Sequence, residues 1–428
     1  MIDLLKAHIK PVHHSETLLT NELSNRLESE GKTVFKFGFG QSPFLPLDSA
    51  VAALKYAASR KEYLGVQGLP ALRLAVANFH NELGGTAYTE KQVLIGPGSK
   101  MLIYCILGAV KNADVILVTP SWVSYEPQAK FLGHEVHRIK TTFEDRWRLR
   151  PEALDQLCSE LKVREKPLIM ILNYPGNPDG LSYTSDELGA LAKIARKHHI
   201  LIVSDEIYGL LHHEGEHHSI HSHYPEGTIV TTGLSKWCGV GGWRVGVALL
   251  PQELAGEFMN AVIGIASETF SSVTTPIQLA AVEAYRFSDE VQGYLRHQRR
   301  ILSQIGTQSA KQLQESGIRV HAPEGGFYLY LDFSPFRGLL KQRGIISSQA
   351  LCASLLKDAG VAVLSGVAFG QASEDLCVRL AYVDFDGELA LRASEELGLE
   401  VDLPEDFLFN YANKILEGIT RIGKWINQ

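Results

Sequence analysis

The sequence predicts an α/β protein: a large domain with a mostly parallel sheet covered by helices on both faces, plus a smaller α+β domain. Three observations predict it. Helices and strands alternate from Gly133 to Val203, and the runs Leu168–Leu172 and Ile200–Val203 are apolar without in–out alternation, as in strands buried on both faces. A long charged helix expected over Glu290–Gly317 separates this region from one where strands and helices follow a different pattern. The 428 residues exceed what one compact core serves, so two domains are the default. The expected division is 1–46 as N-terminal arm and part of the small domain, 47–294 as the large domain and 295–428 as the small C-terminal domain.

In chain order, Ser15–Gly31 reads as an amphipathic helix with Leu19, Leu23 and Leu27 on one face and Gly31 as its stop. Phe35–Gly40 leads into the turn QSPFLP, Leu47–Arg60 is helical, and Pro70 opens a further helix. Val93–Lys100 (VLIGPGSK) is a strand running into a glycine turn that starts the helix Met101–Val110. Free N–H groups and the positive dipole end favour an anion there, so Gly98, Ser99 and Lys100 form a candidate phosphate cradle. Strand Val115–Val118 precedes PSWVSYEP. His212–His223 (HHEGEHHSIHSH) holds six of the sixteen histidines, but without cysteines or helical pairing it reads as a surface hairpin loop with no metal. Leu254–Ala266 and Thr275–Arg286 are expected helices. After the long helix come strands near Ile318–His321, Phe327–Asp332, Val361–Leu364 and Cys377–Val383, a helix Ser347–Ala359 and a final helix Pro404–Ile426.

Composition narrows the function classes. Apolar content is 45%, an ordinary globular value, and the net charge of −7 argues against nucleic acid or an anionic membrane as main partner. The longest apolar run, Met101–Val110, is about half of a bilayer span, and the first residues lack a signal-peptide pattern. The five cysteines include no CxxC pair and read as reduced thiols, so a cytoplasmic location is expected.

Three motifs carry chemistry. Thr231–Gly246 reads TTGLSKWCGVGGWRVG. A lysine held in a dry cleft can lose its proton and condense with an aldehyde, which suits Lys236. Glycines around it let the backbone pass close to a flat ligand, and Arg244 offers a planar fork suited to a phosphate. An aldehyde-bearing phosphate ester meets both demands, and pyridoxal 5'-phosphate is the common one. Ile200–Tyr208 (ILIVSDEIY) ends a strand at Asp205, with Tyr208 three residues on, and Asn173–Gly180 (NYPGNPDG) is another strand end entering a turn. Asn177, Asp205 and Lys236 thus each fall just past a strand end, where ligands of such sheets lie.

With these motifs in this order, the chain resembles the class I/II aminotransferases, pyridoxal-phosphate enzymes of fold type I, from about Phe37 to about Asp386. The resemblance implies a homodimer in which Tyr63 reaches the cofactor phosphate of the neighbouring subunit; the other reading is a packing tyrosine. It implies Gly40 beside the substrate carboxylate and Trp122 flat on the pyridine face, the alternative being a core or helix-cap tryptophan. Arg379, in VRLAYV, would grip the substrate α-carboxylate in bidentate fashion, unless it forms a structural ion pair. Lys236 would hold the cofactor as an imine and move the Cα proton, while Asp205 would keep the pyridine nitrogen protonated. Tyr208 and Asn177 would bond the phenolic oxygen. Arg244, Ser235 and the Gly98–Lys100 amides would hold the phosphate.

Two departures stand out. The family often has a hydroxyl three residues before the lysine; here that position is Gly233, with Thr232, Ser235 or a backbone amide as substitutes. Asp179 stands in NPDG where threonine is more usual. The expected function is an amino-acid aminotransferase moving an amino group from an L-amino acid (aspartate-like, aromatic or alanine) to a 2-oxo acid such as 2-oxoglutarate. The alternatives are a carbon–sulfur β-lyase on the same fold and, from another class, a ligand-sensing aminotransferase-like regulator. The regulator needs an added DNA-binding region, for which a resemblance beginning near residue 37 leaves no space.

Overall fold

The structure, a computed structural model, describes residues 16–161 and 165–428. Its strands are β1 (Phe35–Lys36), β2 (Val93–Gly96), β3 (Asp114–Thr119), β4 (Glu135–Lys140), β5 (Leu168–Asn173), β6 (Leu201–Asp205), β7 (Thr228–Gly233), β8 (Gly246–Leu249), β9 (Tyr328–Asp332), β10 (Val361–Ala362), β11 (Leu364–Ser365) and β12 (Cys377–Ala381). Seven form one sheet in the order β2-β8-β7-β6-β5-β3-β4. From β7 to β4 neighbouring strands run parallel, and β8 alone is antiparallel to its neighbours.

Both faces of this sheet are covered, as the unbroken apolar runs require. Ile116, Met170, Leu172 and Ile202 pack with Leu154, Leu188 and Leu191 on one face. The alternate residues Val115, Leu117, Ile169, Ile171 and Val203 pack with Leu102, Ile106 and Val262 on the other. The edge strand β4 (EVHRIK) has only Val136 and Ile139 as apolar residues, and its charges discourage pairing with another chain.

The C-terminal part is built on the antiparallel sheet β11-β12-β9. Strand β1, from the other end of the chain, pairs in parallel with β10, Phe35 with Val361, as a separate two-stranded sheet. The helix Asp289–Glu315 starts at Ser288, whose hydroxyl accepts from the Val291 N–H, and buries Leu295, Ile301, Leu302 and Ile305. Among the described residues no helix is long and apolar enough to cross a membrane.

Several local expectations are corrected. Ile318–His321 makes a single bridge, Arg319 to Asp332, and no strand. Val361–Leu364 divides between two partners, Val361–Ala362 on β1 and Leu364–Ser365 on β12. The final helix is two, Phe407–Tyr411 and Asn413–Asn427, broken at Ala412, where φ is −133°. His212–His223 is no hairpin: it follows a 3₁₀ turn at Gly209–Leu211, contains another at Ile220–Ser222, and buries Ile220. The first helix is described from Glu16 to Ser29, and Ser15 and the Leu19 side chain lie outside the described residues.

Candidate active site

Strands β2, β3, β5, β6 and β7 point their C-terminal ends toward one cleft of about 600 Å³. Lys236 follows β7, is half-buried, and donates from Nζ to the Gly40 carbonyl at 2.8 Å. Burial, aided by the positive charges of Arg379, Arg244 and Lys100, lowers its pKa to about 8, although Asp205 opposes this. The amine is therefore far closer to its reactive neutral form than a surface lysine is.

Asp205 ends β6 and is 2% exposed. Its Oδ2 accepts from the Tyr125 hydroxyl at 2.7 Å and its Oδ1 from the Thr231 hydroxyl at 3.3 Å. Burial nevertheless raises its pKa to about 6, so this pocket favours a cationic partner for the carboxylate. Tyr208 is buried, its hydroxyl 2.9 Å from that of Tyr328, and burial holds its phenol well above the ordinary tyrosine range.

Arg379 lies on β12 and is 2% exposed. Nη1 donates to Asn177 Oδ1 at 3.0 Å and Nη2 to the Gly38 carbonyl at 2.6 Å, while Nε is buried without a partner. Its guanidinium lies 4.6 Å from the Tyr328 ring centroid and 5.1 Å from that of Phe369. Among the described residues no carboxylate pairs with it, so the structural-ion-pair alternative has no partner on which to rest. A buried guanidinium in that state suits an incoming carboxylate. Asn177 is held in turn by Asn173, whose Oδ1 accepts the Asn177 N–H at 2.9 Å.

On the opposite wall the backbone is pared to glycine. Gly98 has φ of 87°, and a Cβ on it would lie 2.2 Å from Arg244 Nη2. Arg244 itself adopts φ of 59° and donates to the carbonyls of Gly241 at 2.9 Å and Pro97 at 3.1 Å. Ser99 and Lys100 open the helix Ser99–Ala109, and Lys100 Nζ sits 5.0 Å from the Trp122 ring centroid. Ser235 lines the cleft, whereas Thr232 lines a different cavity, so of the two candidate hydroxyls only that of Ser235 belongs to a residue of the cleft.

Gly40, Trp122, Asn177, Tyr208 and Asp205 thus share one cleft with Lys236, Arg244 and Arg379. Tyr63 does not join them; it is 94% exposed on the surface. Sequence reading missed Tyr125, Thr231, Tyr328 and Asn173. Tyr125 had a signal, standing three residues after Trp122 at a helix start, but nothing local tied it to a residue 80 positions away. Tyr328 had none, although its hydroxyl explains Gly40: a Cβ there would lie 1.9 Å from it.

The family described as "Aminotransferase class I and II" matches residues 32–387. An asparagine–oxo-acid transaminase of Streptococcus mutans is 32% identical, over 88% of this chain and 94% of its own. An aspartate aminotransferase of Bacillus sp. is also 32% identical, over 89% and 95%. Among solved structures, an aspartate aminotransferase of Thermus thermophilus with maleate aligns with a TM-score of 0.81 at 27% identity, covering 92% of this chain and 98% of that one. A chain with this fold, this cleft and these relatives belongs to the class I and II aminotransferases, a family of pyridoxal-phosphate-dependent transaminases.

Proposed function

We propose that the chain binds pyridoxal 5'-phosphate in this cleft and transfers an amino group between an aspartate-like L-amino acid and a 2-oxo acid such as 2-oxoglutarate. The donor set fits the cofactor. Lys236 Nζ is the amine for its aldehyde, Asp205 the acid for its ring nitrogen, and Arg244, Ser235 and the helix start at Gly98–Lys100 the cradle for its phosphate. Asn177 and Tyr208 are assigned to its phenolic oxygen and Trp122 to its ring face. When bound, the cofactor supplies the electron sink that lets a Cα–H bond break.

The chain's own residues do the rest. Arg379 binds the substrate α-carboxylate and orients the Cα–H bond toward Lys236. With a pKa near 8, Lys236 Nζ takes up that proton and returns it on the other side of the reaction. Trp122 and Tyr328 exclude water, and Tyr125 and Thr231 hold Asp205 in place. The observation that carries this reading is the buried, carboxylate-free Arg379 in the same cleft as Lys236 and Asp205.

The aspartate-like donor rests on the names of the relatives, and aromatic donors or alanine are the other outcomes. The homodimer, with Tyr63 completing the neighbouring cleft, is supported by the exposure of Tyr63 and Tyr56 at 94% and 92%. A cytoplasmic location is proposed from the free cysteines. The division at 46/47 and 294/295 is proposed because the seven-stranded sheet lies wholly within 47–294, while the three-stranded sheet lies within 295–428 and the two-stranded sheet pairs β1 with β10.

The test is to load purified protein with pyridoxal phosphate and add single L-amino acids without an oxo acid. A shift of the visible cofactor band to the amine form, reversed by 2-oxoglutarate, supports the reading. Lys236→Ala should abolish both the band and turnover. Release of pyruvate and ammonia from a cysteine conjugate, with no band shift on any donor, would favour the β-lyase.

A further inference from the structure

Excluding water from the cleft needs the ring of Tyr328 but not its hydroxyl. Tyr328 opens β9, where Ala381 of β12 stands opposite it and Arg379 stands opposite Tyr330. Residues two apart on a strand share a face, so Tyr328 and Arg379 are diagonal neighbours, and the guanidinium lies 4.6 Å from the Tyr328 ring centroid. At the tip of that ring, Oη lies 2.9 Å from Tyr208 Oη. Both tyrosines line the cleft.

The direction of this hydrogen bond decides what Tyr208 has left to give. A phenolic hydroxyl carries one hydrogen. If Tyr208 donates to Tyr328, none remains for the cofactor's phenolic oxygen; if Tyr328 donates to Tyr208, the Tyr208 hydrogen remains for it. Among the described residues each hydroxyl has the other as its sole hydrogen-bond partner. Gly40 stands so close to Tyr328 Oη that a Cβ there would lie 1.9 Å away, and the Gly40 carbonyl accepts from Lys236 Nζ. The Tyr328 hydrogen therefore finds its acceptor in Tyr208.

Electrostatics favour the same direction. Burial raises the pKa of both phenols. At Tyr328 the next influence is the Arg379 guanidinium, which opposes the rise. At Tyr208 the next is the neighbouring phenol, which adds to it; Arg379 opposes and Asp205 adds further. Tyr328 is thus the more acidic phenol and the better donor. Besides Tyr328, the titratable and charged groups facing Tyr208 are Arg379, Asp205, Tyr125 and Lys236, whose Nζ lies 5.7 Å from the Tyr208 ring centroid.

We propose that Tyr328 is a positioning residue for the proposed reaction: its hydroxyl donates to Tyr208 Oη and thereby reserves the Tyr208 hydrogen for the phenolic oxygen of the cofactor. This role rests on the assignment of Tyr208 to that oxygen. A hydroxyl that accepts one hydrogen bond donates the next more strongly, by about 10–30%. A donor on the phenolic oxygen stabilises its negative charge, so the proton at the Lys236–cofactor bond leaves at lower pH.

Absorbance titration of the holoenzyme without substrate reads the pH at which the visible cofactor band changes. Tyr208→Phe should raise that pH by about 1–2, the worth of a hydrogen bond to a charged group. Tyr328→Phe should raise it by about 0.3, the cooperative share, and should add nothing in the Tyr208→Phe background. Phenylalanine removes one atom and keeps the ring beside Arg379, so the chain still folds and a merely structural Tyr328 would leave the transition where it was. A transition raised by Tyr208→Phe but unmoved or lowered by Tyr328→Phe overturns the proposal alone. One unmoved by Tyr208→Phe removes Tyr208 from the phenolic oxygen and takes the proposal with it. An equal rise from Tyr328→Phe with and without the Tyr208 hydroxyl overturns it too, because Tyr328 would then act by another route.

Discussion

Gly233→Ser restores the hydroxyl that related sequences often carry three residues before the lysine, and on sequence grounds it should tighten the hold on phosphate. The structure predicts the reverse. A Cβ on Gly233 would lie 2.5 Å from the Val245 carbonyl oxygen and 2.9 Å from Gly246 Cα. Both are backbone atoms, and Gly233 pairs with Gly246 across β7 and β8, while Leu234 N–H donates to that same carbonyl at 3.1 Å. Nor can Gly246 retreat, because its own Cβ direction is closed by Gly98 and Ser99 at 2.2 and 2.3 Å. Forcing a side chain into a packed site costs about 1–3 kcal/mol, a sizeable part of a total stability of about 5–15 kcal/mol. The strain moves into Gly98 and Arg244, so a share of about 1.4 kcal/mol would weaken cofactor retention about tenfold. Urea unfolding of the apoprotein reads the first effect and dialysis of pyridoxal phosphate, followed by its absorbance, reads the second. An apoprotein with an unchanged midpoint that holds the cofactor more tightly would refute the reasoning.

Three further outcomes follow from the same geometry. Arg379→Leu should raise KM for donor and acceptor alike about a hundredfold, the worth of a charge-assisted bidentate pair of about 3 kcal/mol, without altering the cofactor band; unchanged KM values would remove Arg379 from substrate binding. Tyr125→Phe deletes the 2.7 Å donor to Asp205, which pushes the carboxyl above its value of about 6. A protonated acid cannot pair with a ring cation, so cofactor affinity is lost as pH falls through this pKa. The variant's loss should begin at higher pH, and coincident profiles would count against the role of Tyr125. For Lys236 the neutral fraction rises with pH through about 8, so covalent capture of pyridoxal phosphate by the apoprotein should accelerate and level off above that point. A rate still climbing into the ordinary lysine range would show that burial does not act on Nζ.

Much of the framework was legible because its signals are local. An apolar run without alternation marks a doubly covered strand, and the turn after it marks where a ligand can sit; Asn177, Asp205 and Lys236 were found in that way. The errors arose where burial was supplied from elsewhere. The polar string His212–His223 read as a surface loop, yet the carboxylate of Glu206 collects its His217 and Ser219. Ile318–His321 has a strand's composition but finds a partner at one residue only, and the last helix breaks at an alanine that has no helix-breaking chemistry of its own.

By itself, then, the chain's order of residues determined which strands are buried on both faces, where they end, and which chemical groups follow each end. Tertiary structure alone decided that Tyr125 reaches Asp205 across 80 residues, that Arg379 reaches Asn177 across 202, and that Tyr328 closes over Gly40. The physical reason is that a strand's burial is encoded in its own side chains. A hydrogen bond between distant segments depends on sheet order and on how the C-terminal sheet lies over the cleft, and no short stretch of sequence carries that information.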